Sequence, residues 1–235
     1  YTSDVNALGS LRILEAIRNS SLVKKTKFYQ ASSSELFGKT NNKKLNEKSK
    51  FYPRSPYAVA KLYAYWITKN YREAYNIYAC NGILFNHESP RRGVNFVTRK
   101  IVQGLTRIKK GKQKYLTLGN LYARRDWGHA KDYVESMWKI IKHKKPDDYV
   151  ISTNSSHSVK DFVNVCSKKL GFRLIWKNKG LKEIGIDKVT NKIIVKVDQK
   201  YFRETEVDNL VGNYSKAKKI LKWKPKISFD KLVDD

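Results

Sequence analysis

The stretch Gln30-Ala31-Ser32-Ser33-Ser34-Glu35-Leu36-Phe37-Gly38, followed by a polar loop and then Tyr52-Pro53-Arg54-Ser55-Pro56-Tyr57-Ala58-Val59-Ala60-Lys61, decides the fold. Its first half reads as the end of a buried strand: the run Lys27-Phe28-Tyr29-Gln30-Ala31 passes into small hydroxyl residues. Its second half reads as a helix start. Ser55 is a capping residue, Pro56 suits the first helical position, and Ala58, Val59, Ala60 and Leu62 continue the helix. Tyr57 and Lys61 are four apart and so share one helix face. Ser33 and Glu35 are two apart, which in an extended backbone puts them on one side of the strand end.

These residue types suit hydride and proton transfer at a sugar alcohol. A free tyrosine titrates near 10 and is a poor base at neutral pH. A neighbouring ammonium favours the phenolate. A serine hydroxyl can hold the substrate hydroxyl against the phenol, and a nearby carboxylate can take a second proton from carbon. The Tyr-x-x-x-Lys spacing recurs at Tyr65/Lys69 and Tyr214/Lys218 in a chain with 15 tyrosines. On spacing alone, a packed tyrosine beside a solvated lysine fits as well as a catalytic pair. The Ser-x-Glu segment, with Glu35 lying 22 residues before Tyr57, singles out Tyr57/Lys61.

The length of 235 residues is enough for one large or two small domains with a real core. No run of 18 apolar residues exists, so no membrane span is expected. No signal-peptide pattern opens the chain, and Cys80 and Cys166 sit in apolar surroundings, which points to reduced thiols in a cytoplasmic setting. The four histidines are scattered and show no zinc spacing. The net charge of +28 can attract nucleic acid without specificity. It comes from 37 lysines against 12 arginines spread along the chain, beside abundant Asn, Ile and Tyr. That composition fits drift in an AT-rich coding sequence, so no specific nucleic-acid partner is expected.

Ala31 to Gly38, Pro53 to Lys61, Gly82-Ile83-Leu84-Phe85-Asn86-His87-Glu88-Ser89-Pro90-Arg91-Arg92-Gly93 and Arg125-Asp126-Trp127-Gly128-His129-Ala130-Lys131-Asp132-Tyr133-Val134 resemble the GDP-mannose 4,6-dehydratases. These are extended short-chain dehydrogenase/reductases acting on nucleotide sugars. The resemblance covers essentially the whole chain, through Arg203 to Asp208 and Trp223-Lys224-Pro225. It implies an α/β fold: a partial Rossmann domain, with a parallel sheet and helices on both faces, and a smaller α/β substrate-binding region. Residues 1–92 would carry the NADP-binding part with the catalytic groups. Residues 93–235 would mainly bind the nucleotide sugar, with segments returning to the first domain.

The implied reaction is that of a lyase of GDP-fucose and deoxyhexose biosynthesis: GDP-mannose loses water to give GDP-4-keto-6-deoxymannose by an internal NADP redox cycle. Catalysis would rest on Ser33, Glu35, Tyr57 and Lys61. Ser33 stands where the family usually has threonine. Cofactor contacts would come from Tyr1, Tyr57, Lys61, His87 and Arg92. Substrate contacts would come from Asn86, Asn95, Lys100, Gly119, Arg125, Arg203 and Glu206. A homo-oligomer, dimer or tetramer, is implied because the Tyr57 helix often packs on a second copy in this superfamily. No G-x-G-x-x-G turn occurs, so the chain is expected to start within a domain and to be inactive by itself. Two alternatives stay open: another nucleotide-sugar epimerase or dehydratase, and a non-catalytic basic anion-binding remnant. Glu35 argues against a plain epimerase, which needs no base at C5.

Several of these residues also have plainer readings. Asn86 follows the buried strand Ile77 to Phe85, at the strand end where open α/β sheets place ligands, but Asn is also a turn former. Asn95 opens a helix from Phe96 to Lys109, either as a diphosphate contact at its positive end or only as an N-cap. Arg125 suits a phosphate through its planar fork, or pairs with Asp126. Arg203 and Glu206 are by spacing an i,i+3 pair on a solvated turn. Further elements are expected as a first helix with Leu8, Leu11, Leu14 and Ile17, a strand from Leu116 into a turn at Gly119-Asn120, a helix from Ala130 to Lys142, a strand at Tyr149 to Ser152, a helix from Ser158 to Lys169, a weakly alternating strand from Lys192 to Val197, and closing helices at Ser215 to Leu221 and Ser228 to Val233.

Overall fold

The computed structural model describes residues 1–39, 44–202 and 209–235. In chain order the elements are α1 (Gly9–Arg18), β1 (Lys27–Ser33), α2 (Pro56–Tyr75), β2 (Tyr78–Leu84), β3 (Asn86–Glu88), α3 (Val97–Lys109), β4 (Leu116–Leu118), β5 (Arg124–Arg125), β6 (Trp127–His129), α4 (Ala130–Lys142), β7 (Asp148–Ile151), β8 (His157–Ser158), α5 (Val159–Lys169), β9 (Leu174–Lys177), β10 (Ile184–Asp187), β11 (Ile193–Val197), β12 (Asn209–Leu210), α6 (Ser215–Leu221) and α7 (Phe229–Asp234). They form two compact units, each assembled from separated segments. The first comprises residues 1–87, 126–156 and 209–226; the second comprises 88–125, 157–208 and 227–235.

The first unit is built on a parallel sheet in the order β1-β2-β7. Side chains alternate along β2, and that alternation sorts the helices onto two faces. Cys80 and Leu84 pack with Tyr133 and Ile140 of α4 and with Ala217, Leu221 and Trp223 at α6. Ile77 and Ala79 pack with Leu14 of α1 and Tyr71 of α2. β1 follows the same rule, with Tyr29 toward the α4 side and Phe28 toward α1 and α2. The sheet therefore carries helices on both faces, as the Rossmann reading requires. A π-helical turn, Asp4–Leu8, precedes α1, so the first helix begins irregularly.

A buried polar cluster ties the N-terminal ends of β2 and β7 to α2. Arg72 donates to both Asp148 carboxylate oxygens at 2.8 Å, and Asn81 Nδ2 adds a third bond at 2.9 Å. A cavity of about 780 Å³ opens beside it, lined among others by Tyr65, Arg72, Asp147, Asp148 and Lys216. At the other end of the unit, Asp126 is fully buried and accepts hydrogen bonds from the backbone of Thr153, Asn154 and Gly212 and from the Thr153 hydroxyl. Burial pushes its carboxyl up to about 6 although these four bonds pull the other way.

The second unit holds a mixed sheet in the order β4-β11-β10-β9, in which β11 runs parallel to β4 and antiparallel to β10. A tight turn joins β10 to β11. Asp187 accepts from the Thr190 backbone and hydroxyl, and Asn191 takes the left-handed conformation (φ 54°). Ser158 caps α5 in a capping box with Asp161, and Val159, Phe162, Val163 and Cys166 face inward. Tyr122 is half exposed, yet its hydroxyl donates to Glu183, a buried carboxylate that Lys160 also reaches at 2.6 Å. Among the described residues no helix is long and apolar enough to cross a membrane.

Candidate active site

Four sequence-predicted residues meet at the C-terminal end of β1. The strand stops at Ser33, whose extended backbone (φ −135°, ψ 143°) lets Oγ cap the short 3-10 turn Ser34–Leu36. Ser33 Oγ accepts the Glu35 backbone N–H at 3.2 Å. This corrects the expectation that Ser33 and Glu35 share one strand face. Glu35 lies in the turn, beyond the last strand residue, and is placed by that cap instead of by pleat alternation.

The chain then reverses at Gly38, with φ +52°. A Cβ there would lie 1.7 Å from the Tyr52 carbonyl oxygen, so only glycine allows the approach. Tyr52 N–H bonds Leu36 O at 2.9 Å, and this brings Ser55 against Glu35. Ser55 Oγ accepts the Ala58 N–H at 3.1 Å, capping α2, and its hydroxyl donates to Glu35 Oε2 at 3.3 Å. Tyr57 follows in the first turn of α2 and is 38% exposed.

Lys61, one turn further, sends its ammonium back to the strand and donates to Ala31 O at 3.1 Å. The same ammonium stands 5.8 Å from the centroid of the Tyr57 ring. Tyr57 and Lys61 thus share one side of α2, as their spacing predicted. Burial lowers the Lys61 pKa from its ordinary value.

At the end of β2, Asn86 is half-buried in β3. His87 Nδ1 lies 2.9 Å from Phe85 O, a carbonyl acceptor, which makes Nδ1–H the donor. That ring stacks on Tyr133 at 4.8 Å between centroids. The Tyr1 side chain is fully exposed.

In the second unit, Arg92 is fixed from two sides. Its Nε lies 3.1 Å from the buried Glu88 carboxylate, and its guanidinium stacks 3.4 Å from the centroid of the Phe96 ring. Thr98 holds Glu88 at 2.7 Å, while burial raises the Glu88 pKa. Asn95 does not cap α3: the N-cap is Phe96, which makes no side-chain cap bond, and Asn95 is exposed just before it. The helix starts one residue later than expected because the backbone at Phe96 is still extended (φ −83°, ψ 143°). Lys100 lies 3.5 Å from the centroid of the Tyr201 ring, and burial lowers its pKa. Gly119 meets the same residue: a Cβ there would come within 2.3 Å of Tyr201 O. Arg125 Nη1 donates to Arg124 O at 2.8 Å in β5. Arg203 and Glu206 lie outside the described residues.

The structure therefore joins Ser33 to Glu35, Glu35 to Ser55 at the start of α2, and Lys61 to Tyr57 and to Ala31 of β1, and it joins Lys100 and Gly119 through Tyr201. Sequence reasoning treated Ser55 only as a cap and passed over Tyr201 and Glu88. The Glu88-x-x-x-Arg92 spacing was the one available signal for Glu88.

The family model for GDP-mannose 4,6 dehydratase matches residues 1–235. The GDP-mannose 4,6 dehydratase of Drosophila melanogaster is 54% identical over 235 residues, covering 100% of this chain and 60% of that protein. That of Dictyostelium discoideum is 55% identical over 235 residues, covering 100% and 66%. That of Homo sapiens is 54% identical over 233 residues, covering 99% and 63%. The chain thus spans between 60% and 66% of the length of these relatives.

Two solved structures share the fold. RMD from Pseudomonas aeruginosa complexed with NADPH superposes with a TM-score of 0.82 at 19% identity, covering 98% of this chain and 71% of that one. dTDP-glucose 4,6-dehydratase from Bacillus anthracis in complex with NAD gives 0.78 at 22%, covering 98% and 66%.

Proposed function

Because the chain belongs to the GDP-mannose 4,6-dehydratase family, we propose that it takes part in converting GDP-mannose to GDP-4-keto-6-deoxymannose, with NADP regenerated in every turnover. The observation that carries this reading is the contact chain Ser33–Glu35–Ser55 with Tyr57 and Lys61 at the end of β1. A reaction that takes protons from two different atoms needs two bases, and this end of the strand offers a phenol and a carboxylate.

The donor set fits a nicotinamide ribose. Lys61 spends one N–H on Ala31 and has two more, and the Tyr57 hydroxyl stands at an exposed ring. When bound, the nicotinamide supplies a hydride acceptor for C4 of the hexose and a hydride donor for C6. Tyr57 takes the proton of the C4 hydroxyl, and the Lys61 ammonium favours the phenolate that does so. Ser33 accepts the Glu35 N–H and still has a hydroxyl proton for the C4 oxygen. Glu35 removes the C5 proton, which a C4 ketone acidifies, and passes it to the C6 hydroxyl, which leaves as water; C5 regains the proton that Tyr57 took from the C4 hydroxyl.

Further cofactor contacts are assigned to Tyr1, His87 and Arg92. The planar guanidinium of Arg92 suits a phosphate and supports NADP over NAD. Substrate contacts are assigned to Asn86, Asn95, Lys100, Gly119 and Arg125. Exposed Val59, Tyr63 and Trp66 along α2 support a homo-oligomer, and the buried free thiols Cys80 and Cys166 support a cytoplasmic setting. Incubation with GDP-mannose, NADP and the N-terminal segment of a GDP-mannose 4,6-dehydratase supplied in trans, followed by mass spectrometry and NMR, tests the reading. The expected product is lighter by one water and carries a C4 ketone and a C6 methyl. A product of unchanged mass, epimeric at C4, would overturn it.

A further inference from the structure

We infer that Ser55 is a positioning residue that aims the Glu35 carboxylate and ties it to the turn carrying Tyr57. A serine hydroxyl has one proton and two lone pairs. Ser55 uses a lone pair on the Ala58 N–H at 3.1 Å, and that leaves its proton for Glu35 Oε2 at 3.3 Å. The second bond is long for a hydroxyl and a carboxylate, as bonds at unliganded active sites often are before they tighten.

Glu35 is then held at two points: its backbone by Ser33 Oγ and its carboxylate by Ser55. Tyr57 lies two residues after Ser55 in the turn that Ser55 caps. One hydroxyl thereby links the proton acceptor for oxygen with the proton acceptor for carbon. Its neighbours keep it in register: Gly38 admits the Tyr52 carbonyl, and Tyr52 N–H bonds Leu36 O. This inference rests on the proposed dehydration, because only there do the two bases act on different atoms of one sugar.

Three substitutions in the full chain separate aiming from capping. Ser55→Thr keeps both bonds. Ser55→Asp keeps a capping acceptor but has no proton to donate to Glu35 at neutral pH. Ser55→Ala loses both. In single turnover with NADP, GDP-mannose and the N-terminal segment of a GDP-mannose 4,6-dehydratase supplied in trans, Ser55→Asp is expected to form reduced cofactor within about threefold of the parent rate and to consume it about tenfold more slowly. Ser55→Thr should restore both phases. In the ligand-free protein, the ¹³C resonance of the Glu35 side-chain carboxyl should move in Ser55→Asp and Ser55→Ala and hold its place in Ser55→Thr.

An unmoved carboxyl resonance in Ser55→Asp overturns the inference. So does slowing of both phases by one factor, because loss of helix geometry alone gives that result. A parent protein that never reduces the cofactor with that segment supplied defeats the dehydration reading instead, and the carboxyl resonance then decides the positioning role by itself.

Discussion

Arg72→Met should be among the most damaging single changes away from the candidate site. Arg72 and Asp148 pair through two 2.8 Å bonds, with side chains only 12% and 8% exposed. Burial raises the Asp148 pKa, but the Arg72 guanidinium outweighs it and the net shift is downward. Removing one partner of such a pair strands a buried charge, which typically costs about 3–5 kcal/mol. Asp148 keeps bonds from Asn81 at 2.9 and 3.2 Å and from Tyr65 at 3.3 Å, so the lower end applies, about 3 kcal/mol. For a chain of this size that corresponds to a fall in melting temperature of roughly 6–12 °C. Urea and thermal melts followed by circular dichroism supply the measurement, and adding Asp148→Asn should recover part of the loss. A cost below about 1 kcal/mol would refute the reasoning, since it would mean the pair is open to water. The sign with pH follows from the lowered pKa: the contribution is complete above 3.8, the ordinary Asp value, and is lost as pH falls through the folded value.

Tyr57→Phe removes the phenolic base while keeping the ring, and turnover of GDP-mannose should fall by a factor on the order of 10² to 10⁴ in a steady-state assay of the enzyme completed with a family N-terminal segment. Near-normal turnover would remove Tyr57 from the chemistry. Asp126 has the opposite linkage to Asp148, because its folded value, about 6, lies above the ordinary 3.8. Between those values the folded state holds a proton that the unfolded state has released, so stability from this group falls as pH rises from about 4 to 6, by roughly 3 kcal/mol. Chemical melts of parent and Asp126→Asn across that window should converge as pH falls, and parallel curves would contradict the assignment.

Much of the fold was legible where local chemistry and long-range packing agree. α2 begins after Ser55 with Pro56 in its first turn, α4 spans Ala130–Lys142, and α5 follows its Ser158 cap. β1 and β2 were readable as apolar runs between polar punctuation. β9 and β10 were missed because each has only four residues, with Gly185 interrupting the second, and a pairing across a turn creates them. The interleaving of the two units was not readable in detail, because it depends on contacts between distant segments. The N-cap alternative for Asn95 failed because a capping residue type does not fix where the backbone turns helical. Within the site, the Tyr57/Lys61 pair followed from helical spacing together with the Ser-x-Glu segment upstream. The bond from Ser55 to Glu35 did not, because it depends on the reversal at Gly38 that brings residues 52–55 back to the strand end.

The most direct measurement concerns Glu35→Gln, completed with a family N-terminal segment, mixed with NADP and GDP-mannose and followed by near-ultraviolet absorbance and product NMR. If Glu35 is the C5 base, oxidation at C4 proceeds while elimination stops. Reduced cofactor should then accumulate on the protein, with no 4-keto-6-deoxy product. Formation of that product at the parent rate would contradict the assignment of the second base, and with it the reading of this strand end as the centre of the reaction.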